Sequence, residues 1–196
     1  DDAQRFYARS LIPYTRPIDA LKVGIYLKQG RLSNAQEWVR EHGFSVDDEL
    51  SYLREFEHIT LARVLVAEYQ VNRKERSIQD AMRLLKRLLK AAEDQKRMGS
   101  ILEILIVTAL AYHALDNTSQ AFASLERALT LAHPEGYFRI FVNESEPMRS
   151  LLLDFGGSIE KQPRGKDQEL YGYLEKLLSA LAQTNDIPQS NPNELL

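Results

Sequence analysis

The chain of 196 residues contains no cysteine, which excludes disulfide frameworks, Cys-ligated zinc, iron–sulfur clusters and thiol nucleophiles together. It also lacks a basic start followed by an apolar signal region. Its longest apolar run, Ile101 to Leu115, is interrupted by Glu103 and His113 and is too short for a bilayer. Neither sign of charge dominates: the formal net charge is −3, so nothing draws the whole chain to nucleic acid. Positive charge is instead local, with nine Lys/Arg against four Asp/Glu in residues 73–97 and 16 against 24 elsewhere. Glycine and proline number only 9 and 7 and fall between segments of helical period, which predicts an all-α chain. A soluble, cytoplasmic domain with no membrane segment is expected, long enough to bury a core without a metal or disulfide.

Signatures of chemistry are missing as well. Gly-Lys occurs once, as Gly165-Lys166, with Glu160 where a phosphate loop needs glycine and Asp167 where magnesium needs a hydroxyl. His42, His58, His113 and His133 have no helical pair spacing with one another, and neither a nucleophile elbow nor a Ser/His/Asp order stands out. No enzymatic activity, cofactor or metal is expected of this chain.

Helical hairpins are what the sequence does contain. Ile18 to Gln29 runs into Gly30, and Ser33 is placed to cap a second helix carrying Ala35, Trp38 and Val39 before Gly43. Trp38 reads as inter-helix core in preference to a sugar-stacking platform. Asp47 or Asp48 is placed to cap a long helix from Glu49 to Tyr69, paired with Ser77 to Lys96. A third pair covers Gly99 to Leu115 and Ser119 to His133 around the turn Asp116-Asn117-Thr118. Three copies superpose, through Val23/Tyr26, Ala62/Leu65 and Ala109/Tyr112 in the first helices and Ala35/Val39, Ala81/Leu85 and Ala121/Leu125 in the second. The third continues to Ala128 and Pro134, so Tyr112, Ala121 and Ala128 are expected to be structural. First-to-second spacing is 12 residues in copies one and three but 19 in copy two, which places an insertion within Gln70 to Gln79. This is the pattern of tetratricopeptide-type (TPR-like) repeats, and it predicts a right-handed α-solenoid of hairpins followed by packing helices.

After the third pair, Pro134 to Val142 reads as a turn and an apolar, aromatic stretch without helical patterning. A helix over Glu146 to Phe155 is framed by Ser145, Pro147 and Gly156-Gly157, a loop covers Lys161 to Lys166, and a last helix spans Asp167 to Gln183. The expected organisation is an N-terminal partial helix or linker over 1–16, one helical domain over 17–183, and a linker over 184–196.

Several stretches carry a resemblance. Glu57-His58-Ile59-Thr60-Leu61-Ala62-Arg63-Val64-Leu65, Leu84-Leu85-Lys86-Arg87-Leu88-Leu89 and Glu103-Ile104-Leu105 contribute to it. Its most specific part is Arg127-Ala128-Leu129-Thr130-Leu131-Ala132-His133-Pro134-Glu135-Gly136-Tyr137-Phe138-Arg139-Ile140-Phe141 with Pro147-Met148-Arg149-Ser150-Leu151-Leu152. Over residues 17–183 the chain resembles the sensor region of MalT-like, LuxR-type ATP-dependent (STAND) transcriptional regulators. The resemblance implies an effector-sensing and interdomain-coupling domain, an excised piece without the ATPase and helix-turn-helix modules. Its implied partners are a small-molecule inducer and the other domains of the full-length regulator, with room for self-association and no direct nucleic-acid binding. A stand-alone TPR adaptor clamping a peptide or protein is the alternative.

Under the copy alignment, Phe56, Ile59, Arg63 and Val66, with Glu103, Ile106, Leu110 and His113, face inward. Arg63, Glu103 and His113 are the ligand-binding candidates, since a few polar groups among apolar walls suit a small metabolite. Arg139, amid aromatic residues, is expected to be structural, pairing with Glu135, Glu144 or Glu146. The basic ridge Arg83, Lys86, Arg87 and Lys90 reads as a solvated face or as a docking strip for an acidic neighbouring domain.

Overall fold

A computed structural model describes residues 16–159 and 168–185, which contain nine α-helices and no strand. The helices are α1 (Ile18–Lys28), α2 (Leu32–His42), α3 (Glu55–Asn72), α4 (Glu75–Asp94), α5 (Met98–Ala114), α6 (Thr118–Glu135), α7 (Arg139–Val142), α8 (Ser145–Ile159) and α9 (Gln168–Asn185). The fold class is all-α, TPR-like helical hairpins. The expected N-terminal partial helix or linker, apart from Arg16, the expected loop over 161–166 and most of the expected C-terminal linker lie outside the described residues. The chain divides into two compact units, Asp1–Ser124 and Leu125–Leu196.

In the first unit α1 packs on α2, α3 on α4, and α5 on both α3 and α4, with α3 also meeting α1 and α2. The small residues that aligned the copies lie in the core: Val23, Ala35, Ala62, Ala81, Ala109 and Ala121 are all fully buried. At these points any larger side chain would force the helices apart. The extra residues of the second hairpin form no loop. Only Arg73 and Lys74 join α3 to α4, so the extra residues fall within those helices, of 18 and 20 residues, whereas α5 and α6, at the shorter spacing, have 17 and 18.

The helices also share a way of stopping. After α1, α2, α4, α5 and α6 two successive amides turn back, as when Gly43 N–H donates to the Arg40 carbonyl and Phe44 N–H to the Val39 carbonyl. The same pair links Lys96 and Arg97 to Glu93 and Ala92, and Asp116 and Asn117 to His113 and Tyr112. This Schellman arrangement satisfies the terminal carbonyls and needs one left-handed residue. Glycine supplies it at Gly30, Gly43 and Gly136; Lys96 and Asp116 adopt it at φ 54° and 56°.

Two helix starts differ from expectation. Ser33 lies inside α2, which begins at Leu32. Asp48 caps no helix; its carboxylate accepts the Ser45 N–H at 3.1 Å and closes a turn of its own, so the long helix starts only at Glu55, after a 3₁₀ turn over Tyr52–Arg54. That amide, opposed by burial and helped by His58, holds the Asp48 carboxyl below the usual aspartate range. His58, fully buried, faces Asp48 Oδ2 at 3.3 Å and the Arg54 carbonyl at 2.9 Å. The basic ridge helps to hold the same loop. Arg87 donates to the Asp48 carbonyl at 2.7 Å and to the Val46 carbonyl, and Arg83 pairs with Asp47 and Asp80 at 2.8 and 2.9 Å. Half of the ridge is therefore a clamp on the loop before α3, while Lys86 stays exposed.

The second unit contains the end of α6 with α7, α8 and α9. Pro134 to Val142 is more helical than its pattern suggested: α6 runs through Pro134 to Glu135, and after Gly136 the chain forms the short α7. Ala128 is fully buried, as are Phe141, Met148, Leu151, Leu152 and Leu177. Gly156-Gly157 does not end α8, which continues to Ile159; a Cβ on Gly156 would sit 3.3 Å from Leu174 Cδ2, so the missing side chain lets α9 approach. Tyr173 on α9 donates to the Tyr137 carbonyl and meets Phe141 edge-on at a centroid distance of 6.2 Å. Arg139 is exposed at the start of α7, and no ion pair holds it among the described residues. The expected charge pair is replaced by the buried Phe141 ring and the Tyr173 hydroxyl as anchors of this segment.

Arg87→Met is expected to lower stability by about 1–3 kcal/mol, the range for a partly buried hydrogen bond from a charged donor. Lys86→Ala, one residue away, is expected to stay within about 0.5 kcal/mol; equal urea midpoints for the two variants would contradict the clamp. A second expectation concerns alkaline pH. Burial pushes the Tyr173 hydroxyl from 10.0 up to about 12, so the fold favours the neutral phenol. The stability this contributes is lost as pH rises from 10 towards 12. Tyr173→Phe is expected to flatten that alkaline decline in urea titrations, and an unchanged slope would contradict it.

Candidate functional site

A cleft of about 260 Å³ opens in the first unit where the starts of α3 and α5 lie together. Its floor is a buried charge pair. Glu55, the first residue of α3, faces Arg97, the residue before α5, with Nε 3.1 and 3.4 Å from its two carboxylate oxygens; Nη2 bonds to it as well. Their side chains are 7% and 15% exposed. Ser100 Oγ donates to the same carboxylate, and Arg97 Nη1 reaches the Gln95 side-chain oxygen. The left-handed turn at Lys96 delivers Arg97 here. A buried carboxylate held by a forked guanidinium and a hydroxyl has its desolvation offset by directed bonds.

The wall carries a second pair. Glu103 on α5, 9% exposed, accepts a 2.7 Å bond from Arg16 Nη2, whose side chain is 56% exposed. The Arg16 guanidinium lies 4.9 Å from the centroid of Phe56, and that of Arg97 lies 5.6 Å from Tyr52. Ile59, Met98 and Gly99 complete the lining. Among the described residues no cluster of His, Asp and Glu could hold a metal ion, and no helix is long and apolar enough to cross a membrane.

Of the three ligand candidates, Glu103 lines the cleft. Arg63 and Tyr112 are half-buried, as is His113 near the end of α5, and none of them lines it. Phe56 and Ile59 do, whereas Val66, Ile106 and Leu110, expected on the same inward surface, are buried in the core. Trp38 is core too, with its ring 4.7 Å from Phe44.

A family model described as the MalT-like TPR region matches residues 1–155. The chain belongs to this family. Comparison with curated proteins and with solved structures gives no match. The MalT-like region thus covers both charge pairs of the cleft, while α9 lies beyond the matched residues.

Sequence reasoning missed Glu55, Arg97, Ser100, Tyr52 and Arg16. A helix starting at Glu49 buries Glu55 inside its second turn; only the true start makes it a helix-end residue facing another helix end. Arg97 was one of nine basic residues in a charged stretch, with nothing local to separate it from the others.

Glu55→Ala strands a nearly buried guanidinium and is expected to cost about 3–5 kcal/mol. Glu103→Gln, which loses only a mostly exposed partner, is expected to cost under about 1 kcal/mol. Denaturant midpoints of the two variants check the contrast; similar losses would show that the two pairs do not differ in kind.

Proposed function

We propose that this MalT-like TPR region is the effector-sensing and coupling part of a LuxR-type regulator, and that the cleft between the starts of α3 and α5 is where a small polar molecule binds. The observation that carries this reading is the cleft's makeup. Two carboxylates and two guanidinium groups converge within reach of Tyr52, Phe56 and Ile59, the mixture of a few directed polar groups with apolar neighbours that gives small-molecule sites their specificity. The cleft also joins elements far apart in sequence. A ligand there gains contacts with α3, α5 and the segment before α1 at once, and it shifts the population towards whichever arrangement holds them together. Binding and coupling, with no catalytic step, is the role assigned, with the inducer and the other domains of such a regulator as partners.

The test is a thermal-shift screen of metabolites on this chain, repeated on Tyr52→Ala. Tyr52 is half-exposed at the cleft and contributes little to the core, so the variant is expected to fold. A ligand at about a hundred times its Kd adds about 2.7 kcal/mol, which a melting curve resolves. The expected result is at least one small polar metabolite that stabilises the chain and loses that effect in Tyr52→Ala. Stabilisation only by peptides, or by metabolites indifferent to Tyr52, would overturn it.

A further inference from the structure

The cleft recognises a guanidinium twice, by the same device. At its floor Arg97 lies between the Glu55 carboxylate and the face of Tyr52; at its wall Arg16 lies between the Glu103 carboxylate and the face of Phe56. A carboxylate beside an aromatic face is a seat for a flat cation, combining charge-assisted hydrogen bonds with attraction to the ring. The two occupants differ in how firmly they are held. Arg97 is nearly buried and its fork is committed to Glu55 and Gln95. Arg16 is mostly exposed, precedes α1, and among the described residues makes one bond, through Nη2 to Glu103 Oε1. Glu103 Oε2 carries no hydrogen bond among the described residues.

We propose that the wall seat is a binding site for a small molecule bearing a guanidinium group, which enters by displacing Arg16; this rests on the effector reading above and names the ligand class. The fixed half of the seat is negative. Glu103 projects from the buried face of α5, so when Arg16 leaves, an unpaired carboxylate and an open ring face remain. An incoming guanidinium engages both carboxylate oxygens as a fork, where Arg16 engages one, and that surplus lets a free molecule compete with a tethered side chain. An anion gains no comparable site, since the second guanidinium is already spent. Displacement frees Arg16 from α5, so occupancy is felt at Arg16 and Pro17, just before α1.

The experiment is isothermal titration of the chain with propylguanidine, with propylurea as the neutral isostere and propionate as the anion. Propylguanidine is expected to bind the natural sequence and to bind Arg16→Gln about tenfold tighter, the gain if Arg16 fills the seat in about nine molecules of ten. Glu103→Gln is expected to weaken it at least tenfold, and neither propylurea nor propionate is expected to bind. A folding defect cannot imitate the Arg16→Gln result, because the variant is expected to gain affinity. Unchanged or weaker binding in Arg16→Gln, equal binding of propylurea, or propionate binding that Arg16→Gln abolishes would overturn the proposal. If the metabolite screen instead yields a neutral or anionic ligand that depends on Tyr52, the effector reading stands and the cation assignment falls. If propylguanidine behaves as expected while no metabolite depends on Tyr52, the seat stands and the effector reading falls.

Discussion

The buried carboxylate of Glu55 is the constraint on which the first unit's functional geometry rests. It sits at the first position of α3 with almost no access to water, and in that setting a charge must be met by a partner or the helix end cannot stay there. Arg97 and Ser100 meet it from 42 and 45 residues away. The starts of α3 and α5 are therefore fixed against each other, and the space beside them becomes a cleft instead of closing into core. The turn at Lys96 is part of the same arrangement: its hydrogen bonds finish α4 and set the direction in which Arg97 leaves.

How much of this the sequence disclosed depends on range. Helical period, turn residues and the recurrence of small side chains are local signals, and they located the hairpins and the core positions Ala35, Ala81 and Ala121, all fully buried. Helix beginnings were less legible, because an aspartate can accept from a helix amide or from its own loop, and Asp48 does the latter. That choice moves the start of α3 by six residues and, with it, the meaning of Glu55. The cleft pairs were illegible for a further reason: partners 42 and 87 residues apart leave no periodic trace in one sequence. Of the inward positions inferred from the copy alignment, Phe56 and Ile59, near the start of α3, line the cleft, whereas Val66, Ile106 and Leu110 are buried and do not.

The second unit shows how a conspicuous sequence block can be held by inconspicuous means. The stretch from Pro134 to Phe141 carried the most specific part of the family resemblance, and its arginine invited a role. Yet the polar anchor comes from α9, which lies outside the matched family region, through the hydroxyl of Tyr173 on the main-chain oxygen of Tyr137. A main-chain acceptor leaves no mark on the side chain at position 137. Arg139 meanwhile points its charge to solvent, where a cation needs no partner.

The sole tryptophan has a consequence of its own. Trp38 is buried against Phe44 and His42, with no hydrogen-bond partner for its indole N–H among the described residues, and it belongs to the first unit. Indole fluorescence from this chain is thus an optical report on one unit alone. Emission begins in a dry aromatic setting and moves to the red when that unit opens, while the unit from Leu125 onward has no indole and unfolds without an indole signal. Comparing fluorescence with a whole-chain measure such as far-ultraviolet dichroism therefore tells whether the two units melt together or in turn.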